Sequence, residues 1–111
     1  MAEPKRIAMT LNIDPPKLQE YIDLHANPRP EVQAALRSAG IRNLSLWNWG
    51  ERLFYYAEYV GTEPFDEAMA RYATMPGVKE WEDLMHDYQV KLPGSECDVW
   101  WQECKQVYYQ A

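Results

Sequence analysis

The chain opens on an alternation. From Arg6 to Ile13, the apolar residues Ile7, Met9, Leu11 and Ile13 interleave with Ala8, Thr10 and Asn12. A period of two predicts a half-buried strand. Asp14-Pro15-Pro16 stops it, with Asp14 placed to cap a helix whose first turn tolerates proline. That helix is predicted to run to about His25, because Leu18, Tyr21, Ile22 and His25 share one face at the helical period. Asn27-Pro28-Arg29-Pro30 breaks it. A second helix follows from Pro30 with Val32, Ala35, Leu36 and Ala39 inward, closed by Gly40, a residue suited to the left-handed turn after a helix.

Ile41 to Trp49 and Arg52 to Val60 read as two strands around Gly50-Glu51, a β-hairpin. A helix carrying Phe65, Ala68, Met69 and Tyr72 on one face comes next, and Met75-Pro76-Gly77 interrupts it. The last helix, about Val78 to Tyr88, buries Val78, Trp81, Met85 and Tyr88. A final strand is predicted over Trp100 to Tyr109. Merging each interrupted helical pair gives β-α-β-β-α-β, an α+β class of ferredoxin-like arrangement. Helices on one face of an antiparallel sheet leave the other face open. That face carries aromatics, Trp47 and Trp49 among them, so pairing of two sheets in a twofold homodimer is expected.

Composition narrows the function. The 111 residues fit one domain, 1–111. A net charge of −6 without a dense Lys/Arg cluster argues against nucleic acid and anionic membrane surfaces as partners. No apolar run has the length of a membrane span, and the N-terminus lacks the apolar core of a signal peptide; the cytoplasm is the expected compartment. The two cysteines, Cys97 and Cys104, would lie roughly 20 Å apart along a strand and are expected to be free thiols.

Candidate chemistry centres on the only two histidines. His25 follows Tyr21 by four residues, which sets imidazole beside phenol on one helix face. Imidazole suits proton transfer at cellular pH; the plainer reading is a half-buried histidine bonded to a carbonyl. His86 follows Glu82 by four, a spacing open to metal binding but more simply a surface charge pair, with His86 a fallback proton-transfer group. Trp81 reads as core. Glycine-rich phosphate loops, nucleophile elbows, H-E-x-x-H and Cys-x-x-Cys are absent, so neither a nucleotide cofactor nor a metal is expected.

Taken in order, Asn12-Ile13-Asp14-Pro15, Tyr21-x-x-x-His25, Pro30-Glu31, Leu36 to Asn43, Arg52 to Gly61, Trp100-Trp101 and Gln106 to Tyr109 resemble the L-rhamnose mutarotase family, which includes fucose-type enzymes. The resemblance implies a dimeric α/β barrel of two ferredoxin-like subunits. It further implies cofactor-independent interconversion of the α and β anomers of a deoxy-hexose, a small-molecule sugar. It makes His25 the proton donor and Tyr21 a sugar contact.

The chain departs from the family pattern at three positions around the sugar. Arg29 stands where the family has Trp before Pro-Glu, Leu44 where it has a sugar-contacting Tyr, and Glu82 where it has the second of two Trp, leaving Trp81 as the one retained. Trp81, Arg29 and Leu44 are therefore expected at the substrate. The changes fit a mutarotase site reshaped for another substrate, an anionic sugar if Arg29 meets it. They also fit a non-catalytic dimeric barrel that binds a small sugar-like ligand.

Overall fold

The computed structural model describes residues 3–96 and 99–111. The strands and helices follow in the order β1 (Lys5–Ile13), α1 (Leu18–Ala26), α2 (Pro30–Ser38), β2 (Ile41–Trp49), β3 (Arg52–Tyr59), α3 (Phe65–Tyr72), α4 (Val78–His86), β4 (Gln89–Val90) and β5 (Gln102–Glu103). All strands belong to one antiparallel sheet in the order β2-β3-β1-β4, with β5 also against β1. This is the ferredoxin-like α+β fold.

The β1–β3 register explains where the core sits. Ile7 pairs with Ala57, Met9 with Tyr55, and Leu11 with Leu53. Strand residues two apart share a face, so these three pairs form a continuous inner row. Leu11 and Leu53 join Ile13, Tyr21, Met85 and Tyr88 in one buried cluster under α1 and α4. Ile7 and Ala57 join Ile41, Tyr59 and Ala68 in another under α3. The pair between them, Met9 and Tyr55, stays only half-buried. Both residues line a cavity.

A bulge tunes the same face. Arg42 pairs with Glu58 and Ser45 with Tyr56, so Asn43 and Leu44 together oppose Ala57. Asn43 takes a positive φ of 51°, which asparagine tolerates, and its Nδ2 donates to Glu58 Oε1 at 2.7 Å. The extra residue turns Leu44 inward beside Leu46. On the outer face, Trp47 pairs with Phe54. Trp47 and Trp49 remain 64% and 79% exposed.

Several expectations are corrected. Asp14 makes no side-chain cap; a 3-10 turn over Pro15–Lys17 precedes α1. Ile22, expected inward, is exposed, because the preceding turn sets the phase so that Tyr21 is the buried residue of α1. The C-terminal segment departs furthest, being a strand only at Gln102–Glu103. Part of the β1 edge it would need is held by β4, at Asn12 and Ile13. Ahead of the strand, Trp101 packs on Tyr55 and Trp100 on His86. After the Cys104 N–H donates to the Ala8 carbonyl at 2.7 Å, residues 105–111 form no strand, and Val107 and Tyr108 face solvent. Cys104 is a free thiol; Cys97 lies outside the described residues.

The core argument makes a contrast testable by denaturant unfolding. Leu11→Ala, at a fully buried site, should cost about 2–5 kcal/mol. Val107→Ala, on the exposed tail, should stay within about 0.5 kcal/mol of the wild type.

Candidate functional site

The cavity between sheet and helices holds about 450 Å³. Met9, Leu44, Leu46 and Tyr55 line it from the sheet, and Tyr21, His25, Arg29, Tyr72, Trp81 and Glu82 from the helical layer. All five residues singled out as a site by sequence, namely His25, Tyr21, Trp81, Arg29 and Leu44, thus meet on one cavity. Most of the wall is apolar, which leaves orientation to a few polar groups.

His25 stands on the last turn of α1. Its Nδ1 lies 2.8 Å from the Tyr21 carbonyl oxygen. A carbonyl can only accept, so Nδ1 carries the hydrogen, and Nε2 is bare in the neutral ring and a donor in the cation. Proton exchange therefore falls to Nε2. The ring is held by Tyr21 at a centroid distance of 4.5 Å and by a T-shaped contact with Trp81 at 5.2 Å. Arg29, at the start of α2, sets its guanidinium 5.3 Å from the Trp81 ring centroid, a cation–π contact.

Tyr21 is buried, and Gln89 Nε2 donates to its hydroxyl at 3.2 Å, which leaves that hydroxyl its own proton to give. Burial holds the Tyr21 phenol above its ordinary range, the Gln89 hydrogen bond opposes this, and the nearby Glu82 charge adds to it. Gln89 Oε1 is, among the described residues, the one fully buried side-chain polar atom with no partner.

Glu82, a surface partner of His86 by spacing but a position around the sugar by family resemblance, takes the second place. It is no surface partner of His86. Its carboxyl lines the cavity and accepts from the Tyr72 hydroxyl at Oε1, 3.1 Å away. Burial raises its pKa, the Tyr72 hydrogen bond partly offsets that, and the charge of Asp83 adds a small push upward. The phenols of Tyr55 and Tyr72 are pushed well above their usual range, first by burial and then by the Glu82 charge. His86 instead stacks flat on Trp100 with centroids 3.9 Å apart, and burial lowers its pKa. The signal was present in the sequence: Glu82 is four residues after Val78 and three before Met85, both buried, so it lies on the inward stripe of α4. Among the described residues no group of three or more His, Cys, Asp or Glu could hold a metal ion.

A family model for L-rhamnose mutarotase matches residues 6–110. The chain belongs to the L-rhamnose mutarotase family. An UPF0734 protein of Dictyostelium discoideum is 32% identical over 107 residues, 91% of this chain and 84% of that protein. An L-fucose mutarotase of Xanthomonas campestris is 40% identical over 81 residues, 71% of this chain and 63% of that enzyme. The crystal structure of an L-rhamnose mutarotase from Formosa agariphila superposes with a TM-score of 0.73 at 19% identity, covering 96% of this chain and 99% of that one. A dimeric ferredoxin-like protein from an uncultured marine organism gives a TM-score of 0.55 at 12% identity, over 99% of this chain and 95% of that one. At these identities the two structures speak for the fold. The family as a whole consists of sugar isomerases that interconvert anomers. No helix among the described residues is long and apolar enough to cross a membrane.

Glu82 yields a stability prediction. Its pKa is higher folded than unfolded, so ionising it disfavours the fold. Below about pH 4 both states are largely protonated and the penalty vanishes; it grows as pH rises past the ordinary carboxylate range. Glu82→Gln keeps the acceptor for Tyr72 and removes the charge. Its melting temperature should exceed that of the wild type at neutral pH, with the gain shrinking as pH falls toward about 4, followed by thermal denaturation across pH.

Proposed function

We propose that this chain is a cofactor-independent mutarotase that interconverts the α and β anomers of a deoxy-hexose such as L-rhamnose or L-fucose, with His25 as its proton donor. The observation that carries this reading is the anchoring of His25 Nδ1, which leaves Nε2 as the exchanging nitrogen on a cavity wide enough for a hexose. Mutarotation needs a proton delivered to the ring oxygen and one removed from the anomeric hydroxyl. The C1–O bond then opens, C1–C2 rotates, and the ring recloses. Tyr21 supplies a hydroxyl donor to a sugar oxygen, and Trp81 a flat apolar face for the sugar's C–H groups. Leu44 adds apolar wall where a methyl group can rest.

Arg29 supports a second reading, an anionic sugar as substrate. Its guanidinium lines the cavity, where a carboxylate could engage two of its N–H groups. The Glu82 carboxyl in the same cavity works against an anion whenever it is ionised, which keeps the neutral deoxy-hexose as the leading substrate. A non-catalytic sugar-binding role would make Nε2 a mere hydrogen-bonding group. We place the protein in the cytoplasm, where reducing conditions preserve the free Cys104 thiol. We further propose a homodimer joined through the outer sheet face of Trp47, Trp49 and Phe54, on the ground that a patch of this kind marks an association surface.

Exchange spectroscopy by NMR on L-rhamnose, L-fucose and related neutral and acidic sugars tests the reaction. The wild type should speed anomer exchange, and His25→Asn should slow it by about 10²–10⁴-fold; unchanged exchange across the panel would defeat the enzyme reading, and full activity in the variant would remove His25. Arg29→Ala should weaken acidic sugars selectively if the anionic reading holds. Sedimentation should show a dimer at micromolar concentration in the wild type and a monomer for Trp47→Glu/Trp49→Glu.

A further inference from the structure

We propose that Glu82 is the second proton-transfer group of this site, the base that takes the anomeric hydroxyl proton while His25 serves the ring oxygen. The proposal rests on the mutarotase reading and completes it, since ring opening also releases the anomeric hydroxyl proton, which needs an acceptor. Three observations carry it.

The first is placement. Glu82 follows Trp81 directly, and Trp81 touches His25; both carboxyl and imidazole line the one cavity. The second is fixation on one side only. Tyr72 holds Oε1 from α3, while Oε2 has no hydrogen-bond partner among the described residues. Oε2 is also not sealed in protein, because Gln89 Oε1 is the only fully buried, unpartnered side-chain polar atom among the described residues. Oε2 is therefore accessible, on a residue that lines the cavity. The third is the lack of a structural reason for a charge here. No ion pair involves Glu82 among the described residues; Arg29 lies over Trp81, and His86 over Trp100. Glutamine would satisfy Tyr72 as well without a desolvated charge, so the carboxylate is worth its cost only if it titrates. Burial also strengthens it as a base by moving its pKa from the ordinary carboxylate range toward neutrality.

The steps balance. Glu82 Oε2, as carboxylate, takes the proton of the C1 hydroxyl, and the electrons of that O–H bond form the C1 carbonyl. The bond from C1 to the ring oxygen breaks, and that oxygen takes the Nε2 proton of the imidazolium. The aldehyde rotates about C1–C2. On reclosure the C5 hydroxyl attacks the other carbonyl face, returns its proton to Nε2, and the new C1 alkoxide recovers the proton from Glu82. Both groups end as they began, and nothing is consumed.

The test is a steady-state and pH study of anomer exchange, using whichever sugar of the panel the wild type turns over best. The groups facing Glu82 that also titrate or carry charge are Tyr72 from α3, Tyr55 from β3, Tyr21 and His25 from α1, Arg29 ahead of α2, and Asp83 and His86 on its own helix. Glu82→Gln should lower kcat by about 10²-fold or more with KM little changed, and should abolish the acid limb of the kcat/KM profile while melting no lower than wild type. Tyr72→Phe removes a hydrogen bond that favours the carboxylate, so in that variant the acid limb should move to higher pH. A Glu82→Gln enzyme within about twofold of wild-type kcat, a change too small for a lost proton-transfer group, with the acid limb intact, overturns the proposal while leaving the mutarotase reading standing. Should that variant fail to fold, an acid limb unmoved in Tyr72→Phe overturns it equally. A wild type that accelerates no sugar overturns both.

Discussion

The β1–β3 ladder is the constraint on which the rest depends. Eight residues of β1 pair in unbroken register with β3, and that parity decides which side chains see helices and which see the outer face. A slip of β1 by one residue would send Ile7 and Leu11 outward. Within the correct register, consecutive inner rungs alternate in role: Ile7/Ala57 and Leu11/Leu53 are sealed into two buried clusters, and Met9/Tyr55 between them floors the cavity. The cavity thus lies over the rung between two separate buried clusters.

Polar groups on that space are few and individually tethered. His25 is fixed through Nδ1 to its own helix, Tyr21 through its hydroxyl to Gln89, and Glu82 through Oε1 to Tyr72. Each tether uses one atom and leaves another available, an economical way to preorganise a proton-transfer site in an apolar setting. The tethers come from different elements, so the relative placement of α1, α3 and α4 on the sheet sets the chemistry. The cost is visible in Glu82, whose ionised form the fold disfavours. A group that weakens the fold at neutral pH yet faces the cavity is where stability and activity are expected to diverge.

Much of this was legible in the sequence. Alternation in β1 and the hairpin, the helical stripes, and proline and glycine breaks gave the element order and the ferredoxin-like class. The Tyr21-x-x-x-His25 spacing gave the imidazole and phenol pair, and the family resemblance brought Arg29, Leu44 and Trp81 to the same site. Three things were hidden. The phase of α1 depends on a 3-10 turn that the double proline does not announce, so Ile22 was placed inward. The tail from Trp100 alternates like a strand, but its tryptophans are taken up by Tyr55 and His86 and part of the edge it needed is held by β4. The spacing of Glu82 to His86 suggested a charge on a helix surface, because a carboxylate is ordinarily solvated, while the family resemblance set it near the sugar; its place on the buried stripe of α4 was the stronger signal, and the Tyr72 hydroxyl shows how it is accommodated.

The central claim is that the Tyr21 carbonyl locks the proton on His25 Nδ1 and reserves Nε2 for exchange. The most direct measurement is the nitrogen-15 NMR spectrum of the His25 ring, titrated from its cationic to its neutral form. The account predicts that deprotonation empties Nε2 and leaves the neutral ring with its hydrogen on Nδ1, against the usual preference of free imidazole side chains. A neutral ring carrying its hydrogen on Nε2, with Nδ1 bare, would contradict it.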